Sequence, residues 1–290
     1  MGIVLGANQY GKAESRVVRI YRDTKRHEIR DLNVSTAIRG DFEAAHTTGD
    51  QAHVLPTDTQ KNTAFAFAKK HGVRSPEEYA VALGGRLLEA TPAATGVLVN
   101  AEEYPWDRVT VGQYEHEHTF VRRGGEVRTV AVDVTPDGLR IVSGLTDLVV
   151  LKSTGSEFRG FLRDEYTTLP DADDRILATS LTAHWRSRHD QPGQVEDVEW
   201  DEEHRTVRAL LLEAFASTYS HALQETLFAM GRLVLERMPT VEEISFAAPN
   251  RHHFLVDLAP FGLDNPGEVF VAADRPYGLI EATVTREPEE

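Results

Sequence analysis

The same order of elements occurs in both halves of this chain, and that repeat constrains its fold more than any other feature. In the first half the order is strand, strand, helix, helix, strand and a strand pair. The first helix follows the cap-like Thr57-Asp58-Thr59, and Ser75-Pro76 begins the second with a cap and a first-turn proline. The predicted strands are 15–22, 28–37, 94–101 and 106–122 with a hairpin partner at 126–134, and the body of the first helix is 63–70.

The second half repeats this order after the turn sequence Thr135-Pro136-Asp137-Gly138. Its predicted strands are 139–152, 175–186, 241–248, 254–258 and 279–286, and its predicted helices are 202–215 and 220–237. Grouped strands and grouped helices favour an α+β fold with antiparallel sheets over a βαβ array. We therefore predict two tandem ββααββ units, 1–136 and 137–290. A sheet covered by helices on one face only leaves a face and edges for association with further copies.

Charge and composition exclude several classes of function. The chain has 46 acidic and 31 basic residues and a net charge of -15, which disfavours binding to nucleic acid. It has no cysteine, so disulfides, thiolate nucleophiles and cysteine-based metal sites are excluded. His116 and His118 share one face of a predicted strand, and we interpret them as a polar strand edge rather than a metal site. No phosphate-binding glycine loop and no serine nucleophile elbow occurs.

The two ends of the chain carry no targeting segment that we can identify. Residues 1–6 lack a basic region followed by a long apolar run, and the last five residues, Arg286-Glu287-Pro288-Glu289-Glu290, are not a Ser-Lys-Leu peroxisomal signal. No apolar stretch is long enough to span a bilayer. We expect a soluble cytoplasmic protein.

Several dense motifs, in order along nearly the whole chain, carry a resemblance to a known family. The longest is the block 148–169, LVVLKSTGSEFRGFLRDEYTTL, followed by Asp174-Arg175-Ile176-Leu177. The other blocks are QYGK at 9–12, PTDTQKNT at 56–63, YSHALQET at 219–226, APNRHHF at 248–254 and ADRPYGLIEAT at 273–283. Together they resemble the urate oxidase (uricase) family.

The resemblance implies a tunnelling fold of two tandem units, assembled as a homotetramer around a barrel-like tunnel with active sites at subunit interfaces. It implies oxidation of urate by O2 and water to 5-hydroxyisourate and hydrogen peroxide, in urate degradation, without a metal or an organic cofactor. O2 is then a co-substrate.

The resemblance also implies a substrate-binding set. Arg175 presents a planar cationic fork, and Gln224 offers both a donor and an acceptor, so the two could hold opposite edges of a flat anionic purine. Phe158 could stack on its face, and Leu223 would contact it through the backbone. The alternatives from the residues alone are a surface salt bridge for Arg175, a solvated helix position for Gln224 and a core position for Phe158. The implied set is Thr57, Asp58, Phe158, Arg175, Leu223, Gln224 and Asn250.

Three further residues are implied as a catalytic proton relay: Lys12, Thr57 and His252. A lysine of reduced proton affinity can act as a base, histidine titrates near neutrality, and a threonine hydroxyl both donates and accepts. Asp58 would orient the relay or the ligand, and Asn250 would face oxygen or water. A solvated strand-end charge for Lys12, a helix N-cap for Thr57 and a core histidine for His252 remain the structural alternatives.

Two other functions stay open on sequence grounds. One is another tunnelling-fold enzyme, acting on pterins, although such enzymes typically use an acidic residue to grip the pterin and several need a zinc site. The other is a silent purine-binding or scaffold protein, which loss of Lys12, Thr57 or His252 would favour. All three residues are present.

Overall fold

The computed structural model describes residues 2–287, and its contacts divide the chain into two compact units. One unit is Met1–Leu145 with Trp185–His204, and the other is Thr146–His184 with Arg205–Glu290. The last three residues, on which the lack of a Ser-Lys-Leu signal depends, lie outside the described residues. No helix in residues 2–287 combines the length and apolar character needed to cross a membrane.

The first unit is an antiparallel sheet with helices packed on one face. Its elements are β1 (Tyr10–Tyr21), β2 (Glu28–Gly40), α1 (Glu43–Thr47), α2 (Thr57–Lys70), α3 (Pro76–Glu89), β3 (Ala94–Glu103), β4 (Trp106–Val111), β5 (Tyr114–Arg122), β6 (Val127–Thr135) and β7 (Gly138–Lys152). The strands of the sheet are ordered β1-β2-β3-β6-β7, and strand β7 continues into the second unit. Helices α2 and α3 cover the face that carries the buried residues of these strands.

Strand alternation builds the core of this unit. Val97 and Val99 of β3, with Val132 of β6, are fully buried, while residues between them face the other side. Helix α3 begins where the sequence predicts, because the Ser75 side chain accepts the N–H of Glu78 at 3.1 Å. Apolar burial on one face therefore fixes which side of the sheet the helices occupy.

The second unit repeats the arrangement. Its elements are β8 (Leu177–Ser187), α4 (Trp200–Ser217), α5 (Leu223–Arg237), β9 (Val241–Pro249), β10 (His252–Leu255), β11 (Phe270–Ala273) and β12 (Leu279–Thr285), with a short 3₁₀ segment at Ala259–Phe261. The end of β8, the start of α4 and the 3₁₀ segment Pro192–Gln194 fall in the range Trp185–His204, which belongs to the first unit. The strands of the second unit are ordered β7-β8-β9-β12, and helix α5 packs on β9 and β12. A separate two-stranded ribbon, β10 with β11, stands outside this order.

The order of the predicted elements is confirmed, but one strand prediction is wrong. Residues 106–122 form the two strands of a hairpin, because Gly112 adopts a φ of +62° and reverses the chain. The predicted partner, β6, pairs with β3 instead. The sequence also missed the short elements α1 and β11. The predicted strand 254–258 is observed as His252–Leu255, which begins two residues earlier and ends three residues earlier.

Candidate active site

The predicted site residues fall into two groups, one in each unit. Lys12, Thr57 and Asp58 belong to the first unit. The second unit holds the larger group, which consists of Phe158, Arg175, Leu223, Gln224, Asn250 and His252. Each group has its own local geometry.

Lys12 is placed by an irregularity in β1. It pairs with Thr36 of β2, and the next pair is Ser15 with Val34, so one extra residue of β1 bulges out between them. Glu14 within this bulge has a φ of 56°. The extra residue shifts the alternation of side chains between the two faces of the sheet. Lys12 and the buried Val17 therefore both face the helix-covered side. Lys12 is therefore partly buried rather than a fully solvated strand end.

Thr57 is the first residue of α2. The N-cap residue is Pro56, whose side chain makes no capping hydrogen bond. The alternative of Thr57 as an N-cap is therefore wrong, and Thr57 is exposed at the start of the helix. The first N–H groups of the helix are the natural place for a negative or polarised ligand atom.

Asp58 is engaged within its own helix. Its carboxylate accepts from the Lys61 ammonium at 2.5 Å and from the Asn62 amide at 2.9 Å. The Lys61 hydrogen bond holds the pKa of Asp58 below its ordinary value, and the nearby charge of Lys12 adds to this in the same direction. Asp58 is thus an anion at neutral pH that lies within electrostatic reach of Lys12.

Phe158 and Arg175 lie side by side on the loop between β7 and β8. The Arg175 guanidinium carbon is 5.2 Å from the centroid of the Phe158 ring. Backbone bonds hold the loop closed: Phe158 and Ala172 exchange N–H···O bonds of 2.8 and 2.9 Å, and the Arg175 N–H donates to the Ser156 carbonyl at 2.8 Å. A planar cation and an aromatic face are therefore presented together.

Arg175 has an electrostatic environment unlike that of a surface arginine. Burial lowers the pKa of its guanidinium, and its Nε has no hydrogen-bond partner in residues 2–287. The adjacent carboxylate, Asp174, accepts instead from the Thr154 hydroxyl at 2.7 Å and the Gly155 N–H at 3.1 Å. The predicted alternative, a surface salt bridge, does not form within the described part of the chain. The guanidinium is a half-buried cation for which residues 2–287 supply no anion.

Gln224 and Leu223 stand at the start of α5, next to the same loop. Leu223 is buried, whereas Gln224 is exposed. Ser220 connects the helix start to the Phe158 segment, since its N–H donates to the Gly155 carbonyl at 3.0 Å and its carbonyl accepts from Glu157 at 2.8 Å. The structure therefore brings Phe158, Arg175 and the first turn of α5 together.

Two residues that hold this junction were missed by the sequence analysis. The buried Thr226 hydroxyl donates to the Ser220 hydroxyl at 2.8 Å, which in turn donates to the Ala222 carbonyl at 3.0 Å. The Lys152 ammonium donates to the Thr218 carbonyl at 2.6 Å, and burial lowers its pKa. Thr226 lies in the motif block 219–226 and Lys152 in the block 148–169, so membership of these blocks was the sequence feature that could have identified them.

Asn250 and His252 lie at the end of β9 and the start of β10. Asn250 forms an isolated bridge with Thr179, and its N–H donates to the Gly278 carbonyl at 2.8 Å. His252 is partly buried, and its ring stacks on Phe254 with centroids 5.7 Å apart. His252 is thus on the ribbon, not in the core as its structural alternative requires.

The paired histidines of β5 are arranged as a polar edge. The rings of His116 and His118 meet edge to face at 4.5 Å, and no cluster of three potential metal ligands occurs among residues 2–287.

Comparison with known proteins assigns the chain to a family. The family model described as Uricase matches residues 8–133 and 141–281. The chain belongs to the uricase family. It is 53% identical over 285 residues to the uricase of Arthrobacter globiformis, which spans 98% of this chain and 91% of that protein. The uricase of Danio rerio is 37% identical over 285 residues, spanning 96% of this chain and 94% of that protein.

Solved uricase structures share the fold. The crystal structure of the Arthrobacter globiformis uricase matches with a TM-score of 0.93 and 52% identity, over 100% of this chain and 97% of that chain. The urate oxidase of Bacillus sp. TB-90 matches with a TM-score of 0.84 over 96% of this chain and 100% of that chain; at 24% identity it supports the fold alone. The predicted α+β fold of tandem tunnelling-fold units with antiparallel sheets is confirmed.

Proposed function

We propose that this chain is a urate oxidase that converts urate, O2 and water to 5-hydroxyisourate and hydrogen peroxide. Membership of the uricase family over nearly the whole chain supports the reaction class. The observation that carries the assignment to this site is Arg175, a half-buried cation beside the Phe158 ring that has no anionic partner in the described part of the chain. Urate is a flat anion, and this pair offers it a charge-assisted fork and a stacking surface.

Substrate binding is the role proposed for the second-unit group and for the start of α2. Arg175 holds one edge of urate and Gln224 the other, with Leu223 contributing its backbone. Phe158 stacks on the ring, and Asn250 faces the O2 or water. Thr57 and Asp58 complete the set from the first unit. A site that fixes both reactants reduces the entropic part of the barrier.

Proton transfer is the role proposed for Lys12, Thr57 and His252. Lys12 with Thr57 removes a proton from bound urate, and His252 exchanges it onward. The resulting dianion is electron-rich and passes two electrons in all to O2, which leaves as hydrogen peroxide. Water supplies the hydroxyl of the product, so the atoms of urate, O2 and H2O balance those of 5-hydroxyisourate and H2O2. The substrate supplies the electrons, and we therefore propose that no metal or organic cofactor takes part.

Assembly and location complete the proposal. We propose a cytoplasmic homotetramer around a tunnel, with active sites at subunit interfaces. Half-exposed apolar side chains on the β10–β11 ribbon, such as Phe254 and Val271, support association with further copies. We also propose tandem repeat units at 1–136 and 137–290. The two matched segments of the family model, 8–133 and 141–281, support that division.

The test is urate consumption followed by ultraviolet absorbance, with peroxide quantified in the same sample after exhaustive chelation. We expect one peroxide for each urate consumed and no effect of the chelator. Loss of turnover on chelation would overturn the cofactor-free reaction. Tight binding of urate without turnover would instead indicate a silent binding protein.

A further inference from the structure

A tyrosine next to the proposed relay lysine holds the backbone that leads into Thr57. The Tyr10 hydroxyl accepts the N–H of Leu55 at 2.9 Å. Tyr10 lies two residues before Lys12 on β1, so both side chains face the helix-covered side of the sheet. The Tyr10 ring packs edge to face on the buried Phe42, with centroids 4.9 Å apart, which fixes its orientation.

A second connection reaches the same backbone from β2. The Thr36 hydroxyl accepts the N–H of Lys12 at 3.4 Å and donates to Oε1 of Gln60 at 2.8 Å. Gln60 is fully buried in the first turns of α2, and its Nε2 donates to the Leu55 carbonyl at 3.4 Å. The N–H of Leu55 is thus bound by Tyr10 of β1, and its carbonyl is bound by Gln60, which is itself held by Thr36 of β2.

Strand β1 has no room for a side chain at the position before Lys12. A Cβ on Gly11 would overlap the Thr36 carbonyl, so only glycine fits beside Lys12. The bulge of β1 follows directly, and Pro56 separates Leu55 from Thr57 with a fixed φ of -53°. Few backbone torsions remain free between the anchored Leu55 and Thr57.

We propose that Tyr10, Thr36 and Gln60 are positioning residues that set Thr57 against Lys12 for proton transfer. This inference rests on the proposed function, in which Lys12 and Thr57 form the relay. None of the three needs to touch urate. Their effect is to keep two elements, β1 and the start of α2, at a fixed separation, on which proton transfer through hydrogen bonds depends strongly.

The chain contains a matched control on the same strand. The Tyr21 hydroxyl accepts the N–H of Val73 at 2.6 Å, so the two ends of β1 hold the backbone before and after α2 by the same kind of bond. The Tyr21 end carries none of the proposed relay residues. Tyr10→Phe and Tyr21→Phe each remove one hydroxyl and keep the ring, so their stability losses should be alike.

The experiment measures kcat, KM for urate, the pH profile of kcat and the melting temperature for wild type, Tyr10→Phe, Tyr21→Phe, Thr36→Val and Thr36→Ser. We expect kcat to fall roughly 10-fold in Tyr10→Phe and Thr36→Val, with KM within about 2-fold of wild type. The pH profile of kcat should shift in the same two variants. Tyr21→Phe should keep kcat, and Thr36→Ser should restore it, because serine retains the hydroxyl.

Equal kcat values for Tyr10→Phe and Tyr21→Phe would overturn the positioning role, whether both are normal or both fall with the melting temperature. A wild-type protein that fails to turn over urate would overturn the proposed function itself. The two failures are distinguished because the wild type is assayed first. Folding failure of Thr36→Val leaves the Tyr10 and Tyr21 pair as the deciding comparison.

Discussion

At the scale of single residues, the most informative feature is a charge that the described part of the chain leaves uncompensated. Arg175 is half-buried above Phe158, while its neighbour Asp174 is used by the loop backbone. Desolvating a cation without an anion costs free energy in the unliganded protein. Such a cost is typical of a binding site, where an anionic ligand offsets it.

Replacing Arg175 by Gln should therefore separate binding from stability. We expect urate affinity to fall by roughly 10- to 100-fold, as a charge-assisted hydrogen bond contributes about 1.5–3 kcal/mol. The melting temperature should stay the same or rise, since the desolvation cost is removed. Calorimetric titration with a non-reacting urate analogue and a thermal melt measure both quantities. A large fall in melting temperature with normal affinity would indicate a structural arginine instead.

The pair His221–Glu225 gives a second test at this scale, next to Gln224. A hydrogen bond of 2.8 Å to Glu225 raises the pKa of His221 above 6.5, and the backbone N–H and ring of His221 lower the pKa of Glu225 below 4.5. The stabilisation due to charged His221 is present below pH 6.5 and is lost as the pH rises through its folded pKa. The stabilisation due to charged Glu225 is present above pH 4.5 and is lost as the pH falls through the pKa of Glu225 in the folded protein. NMR titration should find a raised His221 pKa that returns to the ordinary range in Glu225→Gln; an unchanged value there would contradict the assignment.

At the scale of elements, a buried ionic cluster holds the start of α3 against β6. Arg128 is 8% exposed and donates to Glu77 and to Asp201, each at 2.6 Å. Glu77 is fully buried and also accepts from the Ser143 hydroxyl at 2.7 Å. Burial raises the pKa of Glu77, and the charge of Arg128 opposes that rise.

Arg128→Met should destabilise the protein by about 3–5 kcal/mol, because it leaves the fully buried Glu77 carboxylate without its cation. The control is Arg86→Ala, which breaks the exposed pair Arg86–Glu89 of the same helix and should cost less than about 1 kcal/mol. Urea unfolding monitored by circular dichroism compares the two. Equal losses would mean that the buried cluster contributes no more than a surface pair.

At the scale of the whole molecule, the proposed interface sites make a prediction about mixed assemblies. Lys12→Met should abolish turnover through the relay, and Arg175→Gln should weaken urate binding. If each site takes its first-unit residues from one subunit and its second-unit residues from another, co-assembled variants contain about a quarter of intact sites. We expect co-expression to recover activity that a simple mixture of the two pre-formed assemblies lacks. No recovery in verified hetero-oligomers would show that each site is built from a single chain.

Much of the fold was predictable from local sequence. Alternating apolar residues gave most strands of both units, and Ser75-Pro76 marked the start of α3 to the residue. The reversal at Gly112 was missed because its flanking segments, 106–111 and 114–122, have similar strand propensity. Strand pairing was also beyond local reasoning, since β6 pairs with β3 rather than with β5, the strand that precedes it.

The sequence by itself determined the order of the long elements and the family, and it supplied the candidate site residues, because these depend on residue types and spacing alone. Only the tertiary structure decided how those residues are held. The bulge after Lys12 turns its side chain toward the helices, and the junction at Ser220 joins the Phe158 loop to the start of α5. Tyr10 of β1 and Gln60 of α2 both form hydrogen bonds with the backbone of Leu55. Such bonds between segments follow from tertiary packing, which no local sequence pattern encodes.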